Sequence, residues 1–115
     1  MITHKANSWI SIDFKGKYEI KPTYYTIRHD DNNSNYLRNW VLEGMSNDNQ
    51  DWQTIKEHRN DCSIKQEKQA RSWPSANCAQ SYKAFRIRIT GKDASNYLRL
   101  FCHGFEVYGQ LLTIN

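Results

Sequence analysis

The sequence predicts an all-β protein, an antiparallel sandwich or barrel of about eight short strands. Three observations carry this. Apolar residues recur with period two rather than the period of a helix. The periodic segments are separated by Gly, Asn, Asp and Ser, residues that favour turns. No segment long enough to be a stable helix carries an apolar stripe at helical spacing.

In chain order, Ile10, Ile12 and Phe14 alternate with Ser11 and Asp13, and Lys15-Gly16-Lys17 forms a tight turn. A short strand covers Tyr18 to Ile20, and the next has Tyr25 and Ile27 alternating with Tyr24, Thr26 and Arg28. A longer loop follows over 30–35, rich in Asp, Asn and Ser. Trp40 and Leu42 alternate with Val41 and Glu43, and residues 47–51 form a polar hairpin loop whose Asx side chains bond their own backbone. A strand over Trp52 to Glu57 completes that hairpin. Residues 58–82 form the longest irregular stretch, with Trp73 anchoring Ser72-Trp73-Pro74 and at most two helical turns over 63–71. Phe85, Ile87 and Ile89, alternating with Arg86, Arg88 and Thr90, give the clearest strand. A hairpin turn over 91–96 leads to Leu98, Leu100 and Cys102, and Phe105, Val107 and Gly109 close the series.

At 115 residues the chain is one domain. The apolar fraction is only 38%, but 13% of the residues are aromatic, enough large rings to build a core and exclude disorder. Sixteen Lys and Arg against twelve Asp and Glu give a net charge of +4, and the basic residues are scattered from Lys5 to Arg99. A nucleic-acid face would cluster them, so none is expected. No apolar run is long enough to span a bilayer, and the first eight residues lack the apolar core of a secretory signal. Three cysteines, Cys62, Cys78 and Cys102, form an odd set that reads as reduced thiols of an intracellular protein. His58 and Cys62, with Cys78, Cys102 or His103, have the chemistry of zinc ligands, but without a C-x-x-C pair no metal is expected. Asn32-Asn33-Ser34 matches a glycosylation acceptor, a pattern short enough to arise by chance. No nucleophile–base motif, phosphate loop or H-E-x-x-H is present, so catalytic residues and cofactors are expected to be absent.

Read as an ordered series, the residues become more specific. Trp9 to Phe14, Tyr24-Tyr25-Thr26-Ile27-Arg28-His29 and Leu37-Arg38-Asn39-Trp40-Val41-Leu42-Glu43-Gly44 are followed by Ser46-Asn47-Asp48 with Trp52. Asp61-Cys62-Ser63, Ser72-Trp73-Pro74, Phe85-Arg86-Ile87-Arg88, Thr90-Gly91 and Gly104-Phe105-Glu106-Val107-Tyr108-Gly109 complete it. Over roughly residues 8–110 this resembles the coagulation factor V/VIII type C (discoidin) family of the galactose-binding-like superfamily. Within it, the series is similar to the intracellular branch found in BTB-domain adaptors and HECT-type ubiquitin ligases. One departure is Met45, inserted between Gly44 and Ser46, which is expected to form a bulge. The cysteine pair that bridges the domain ends in secreted relatives is absent.

The resemblance implies a jelly-roll β-sandwich acting as a non-catalytic binding module, expected to be one domain of a longer intracellular protein. Its ligands would bind at one pole, on loops that here cover His29 to Tyr36, Glu57 to Lys68 and Lys92 to Tyr97. The residues carried over as ligand contacts are His29, Asp30, Asp31, Asn32, Asn33, Tyr36, Arg38, Asp61, Trp73, Asn96 and Tyr97. Their polar groups suit a peptide or sugar hydroxyls, and their oxygens could ligate calcium; the plain alternative is a solvated loop. A protein partner is the preferred expectation. A glycan is the second, with Tyr36, Trp73 and Tyr97 as stacking rings. The loops lack the apolar spikes of membrane-binding relatives, which argues against insertion into a membrane. Trp40 and Trp52 are expected in the core or at a sheet edge rather than as a sugar platform, and Arg86 is expected to pin a carboxylate such as Asp13 or Glu43.

Overall fold

The computed structural model describes residues 9–29, 36–65, 69–75, 80–96, 100 and 104–113. Seven strands are named among them: β1 (Trp9–Asp13), β2 (Tyr18–Arg28), β3 (Trp40–Met45), β4 (Gln53–His58), β5 (Ala70–Pro74), β6 (Ala84–Ile89) and β7 (Gly104–Thr113). They form two antiparallel sheets, one in the order β1-β6-β3-β4 and the other β5-β2-β7. The protein is a β-sandwich. The expected strand over Leu98 to Cys102 lies largely outside the described residues; its Leu100 is fully buried.

Period-two alternation explains the packing. Tyr25 and Ile27 of β2 and Phe105 of β7 face Trp40 and Leu42 of β3 and Phe85, Ile87 and Ile89 of β6 across one core. Strand β3 departs from the alternation, because Val41 and Glu43 on its other face are buried too. It is flanked on both sides, and Arg86 and Arg88 of the neighbouring strand close over Glu43.

Three sequence expectations are corrected. Tyr18 to Arg28 is one strand, not two, with a register shift between Pro22 and Tyr24. Pro22 lies beyond the reach of β5, which pairs only with Tyr24 to Arg28, so no ladder bond on that side is lost to its missing N–H. Residues 58–82 include β5, an edge strand whose single large apolar residue, Trp73, gives no readable alternation. Met45 pairs regularly with Ala84; the irregularity lies between Leu42 and Glu43, where Ile55 of β4 is the extra residue.

The layers are joined by backbone bonds as well. At the end where β6 begins, Ile20 and Tyr82 exchange both backbone bonds, at 2.9 and 3.0 Å. At the other end lie the last residues of β2, β4 and β6 and the first of β3, β5 and β7, as the pairs Trp40–His58, Trp40–Ile89, Arg28–Ala70 and Arg28–Gly104 require.

Candidate functional site

That second end gathers the three loops expected to carry ligand contacts, and backbone bonds tie them together. The His29 N–H donates to the Gln69 carbonyl (2.9 Å), the Asp61 N–H to Arg38 (2.8 Å) and the Ala94 N–H to Tyr36 (2.9 Å). Asn39 is the hub. Its amide donates to the Lys92 carbonyl and its side-chain oxygen accepts from the Asn60 N–H, both at 2.9 Å. Asn60 and Asn96 adopt the left-handed conformation, with φ of 49° and 68°, which Asn tolerates better than most residues. Asp93 turns the last loop, accepting from the Ser95 N–H at 2.8 Å.

Beneath the loops a polar chain runs into the core. The Trp40 indole N–H donates to the Tyr25 hydroxyl at 3.0 Å, Tyr25 meets His58 Nε2, and His58 Nδ1 meets the Asp61 carboxylate at 2.7 Å. With the His58 proton on Nδ1, Trp40 donates, Tyr25 and His58 each accept and donate in turn, and Asp61 accepts, as the chemistry of each requires. Asp61 also accepts from the backbone and hydroxyl of Ser63. The rings pack as tightly as the bonds connect them. His58 lies flat on Trp40, and Trp73 stands edge-on to both. Burial holds His58 below its ordinary imidazole value, against the opposing pull of Asp61. Burial also pushes the Tyr25 phenol up.

The expected site residues therefore separate. His29 is buried, with its ring against that of Tyr36 at 4.7 Å. Asp61 turns inward to His58, and Trp73 packs on Tyr25 and Trp40. Arg38 and Asn96 lie in the loops themselves, and the Arg38 Nε is buried with no hydrogen-bond partner among the described residues. Asp30, Asp31, Asn32, Asn33 and Tyr97 lie outside the described residues. Nothing in the sequence marks Asn39, and His58 reads from the sequence only as a zinc-ligand type. Both His58 nitrogens are taken by protein partners, and no metal-competent cluster of three or more His, Cys, Asp or Glu occurs among the described residues. The spacing of His58 and Asp61, at the end of one strand, was the available signal.

Among the described residues, ion pairing at this pole is one-sided. Among the described acids there, Glu57 pairs with Arg59, Asp61 with His58, Asp93 with a backbone N–H, and Glu106 with the Tyr108 hydroxyl. Arg28, Arg38, Lys65, Arg71 and Lys92 make no ion pair among the described residues. An open depression of about 470 Å³ is lined by Cys62, Ser63, Lys65, Gln69 and Arg71.

A sandwich with its connecting loops gathered at one pole is the architecture of several binding modules, and the sequence comparison decides among them. The model of the F5/8 type C domain matches residues 2–102. The chain belongs to this family. The F5/8 type C domain is a binding module, and its relatives here come from large proteins. It is 38% identical over 93% of its length to the E3 ubiquitin-protein ligase Ufd4 of Drosophila melanogaster. It is 31% identical over 83% to the E3 ubiquitin-protein ligase hecd-1 of Caenorhabditis elegans, and 30% identical over 90% to a BTB/POZ domain-containing protein of Arabidopsis thaliana. The chain spans only 4%, 4% and 13% of those relatives. Among solved structures, it resembles the family 32 carbohydrate-binding module from Streptococcus pneumoniae EndoD, with a TM-score of 0.61 over 94% of this chain and 74% of the other at 12% identity. That likeness shows the fold alone.

Proposed function

We propose that this F5/8 type C domain is a protein-recognition module, one domain of a longer intracellular protein of the ubiquitin-ligase or BTB-adaptor kind, and that it engages its partner through the loop pole. The observation that carries this is the character of the pole. Two rings a sugar would need, Tyr36 and Trp73, are half-buried against His29 and against Tyr25 and Trp40. Instead, five cations make no ion pair among the described residues. Arg fans suit carboxylates and carbonyls of a polypeptide, and sugar sites rely on stacking rings. The similarity to two E3 ubiquitin-protein ligases and a BTB/POZ protein supports the same reading.

The test is affinity capture from cytosol with the wild-type domain and with Arg38→Ala/Lys92→Glu. A partner held by the wild type and lost by the variant, with the fold intact by circular dichroism, is the expected result. Carbohydrate recognition is the second reading, favoured by the likeness to a carbohydrate-binding module. Binding on a glycan array, competed by the same free sugar, would put it first.

A further inference from the structure

We infer that β5 and the depression beside it form a docking site for an acidic peptide segment that adds to the sheet as a further strand. This rests on the reading of the domain as a protein-recognition module and names the chemistry of its partner.

The backbone geometry comes first. Strand β5 is the edge of its sheet, bonded to β2 on one side and to no strand among the described residues on the other. The Gln69 carbonyl accepts from His29, and the Ser75 N–H donates to Thr23 at 3.0 Å. Antiparallel alternation then turns the peptide groups of Gln69, Arg71, Trp73 and Ser75 toward β2, and those of Ala70, Ser72 and Pro74 away. The free edge thus offers the N–H groups of Ala70 and Ser72 and the carbonyls of all three, enough to bind a short extended segment. Ala70, Arg71, Ser72 and Pro74 are all exposed.

The side chains then select the occupant. Arg71 pairs with Ile27, a core residue, so it leaves β5 on the inner face and reaches into the depression. Lys65 lies across from it. The Gln69 side chain fixes that loop by accepting from the Lys65 N–H at 2.7 Å. Asp61, the described acid of that loop, is bonded to His58 and Ser63. A strand laid against β5 would project every second side chain toward these two cations, which make no ion pair among the described residues, so acidic residues at alternate positions are favoured. A second copy of this chain is disfavoured, because pairing two β5 edges brings Arg71 against Arg71.

The experiment is fluorescence anisotropy with a labelled peptide in which Glu alternates with Val, against one in which Lys replaces Glu. Saturable binding of the acidic peptide alone, weakening as salt rises, is expected. Lys65→Glu/Arg71→Glu lowers the affinity by about tenfold or more. Ser72→Pro, which removes an outward N–H at an edge position that accepts proline, lowers it comparably with the charge unchanged, and Ser72→Ala leaves it intact. No saturable binding, equal affinity in the double variant, or equal affinity in Ser72→Pro overturns the inference. So does tighter binding to phosphatidylserine vesicles, displacement by equimolar phosphate, or self-association that Ser72→Pro abolishes. If the capture experiment retains a partner sensitive to Arg38 and Lys92 but indifferent to Arg71 and Ser72, this site falls and the protein-recognition reading stands.

Discussion

The imidazole of His58 lies flat on the indole of Trp40, with ring centres 4.1 Å apart and planes inclined by 13°. Stacked there and bonded at both nitrogens, His58 is held neutral by burial, with Asp61 opposing, below the ordinary value of 6.5. The unfolded chain therefore takes up a proton first as the pH falls below 6.5, and stability is lost across that interval. Protonated His58 would present an N–H to Tyr25, whose own proton would then lack an acceptor. Thermal unfolding as a function of pH is expected to show a melting temperature that declines below neutrality for the wild type and stays flat for His58→Gln over the same interval. Asp61 adds a second loss lower down. Burial raises its pKa, but bonds from Ser63 and His58 outweigh that and hold it below 3.8, so its stabilisation disappears only as pH falls through that range. Parallel profiles for the two proteins would remove His58 as the origin of the first decline.

Asn39 holds two loops with one side chain. Asn39→Ala is expected to cost about 1–2 kcal/mol, two partly exposed hydrogen bonds. Its larger effect is local. Amide exchange should quicken at Asn60 and around Lys92 while core strands keep their protection, and partner affinity should drop although Asn39 need not touch the partner. Uniform acceleration across the strands would mean that Asn39 supports the whole fold instead.

Glu43 is a buried carboxylate shared by two guanidiniums, with Arg86 at 2.6 Å and Arg88 at 3.1 Å. Burial raises its pKa, and the bonds and charges of Arg88 and Arg86 outweigh that and lower it. Arg86 also lies over the Trp52 ring, 4.4 Å from its centre. Glu43→Ala leaves two part-buried cations unpaired and is expected to cost about 2–4 kcal/mol, less than a fully buried pair because Arg88 is a third exposed. Arg86→Lys keeps the charge but loses the Nε bond to Glu43 and the stacking on Trp52, for about 1–2 kcal/mol. Urea unfolding measures both, and a smaller loss for Glu43→Ala than for Arg86→Lys would contradict the shared-carboxylate arrangement.

Gly109 sits opposite Pro22 at the register shift of β2. A Cβ there would lie 2.0 Å from the Lys21 carbonyl oxygen, a backbone atom that cannot swing aside. Gly109→Ala is expected to destabilise by about 3 kcal/mol. Chemical denaturation would show it, and a loss within experimental error would mean the strands separate easily at this point.

Strands are legible in the sequence where burial alternates along one strand. Phe85, Ile87 and Ile89 announce β6, and all three are buried. That legibility fails where neighbours decide. Strand β5 forms because β2 offers it an edge, and little in Ala70-Arg71-Ser72-Trp73-Pro74 says so alone. Residues 18–28 read as two strands because Pro22 interrupts the pattern, although its missing N–H meets no partner strand there. The pole was legible as a set of loops. Its internal division was not, since the partners of His58 and Trp73 include Tyr25, which is distant in sequence. A side chain such as Asp61 cannot be assigned to core support or to ligand contact until the strand ends are brought together.

The chain from Trp40 through Tyr25 and His58 to Asp61 crosses from one sheet to the other and ends in a loop of the pole. Apolar contact has no direction, so a core held by it alone lets its layers slip against each other. Directed bonds fix that slip, and here the same bonds also seat Asp61. Ordering of the loop and registration of the layers thus become one cooperative event. Over Asp61 to Ser63, a partner arriving at the pole would meet backbone whose conformational entropy was already spent when the domain folded, so little of its binding energy would be lost to arranging that segment.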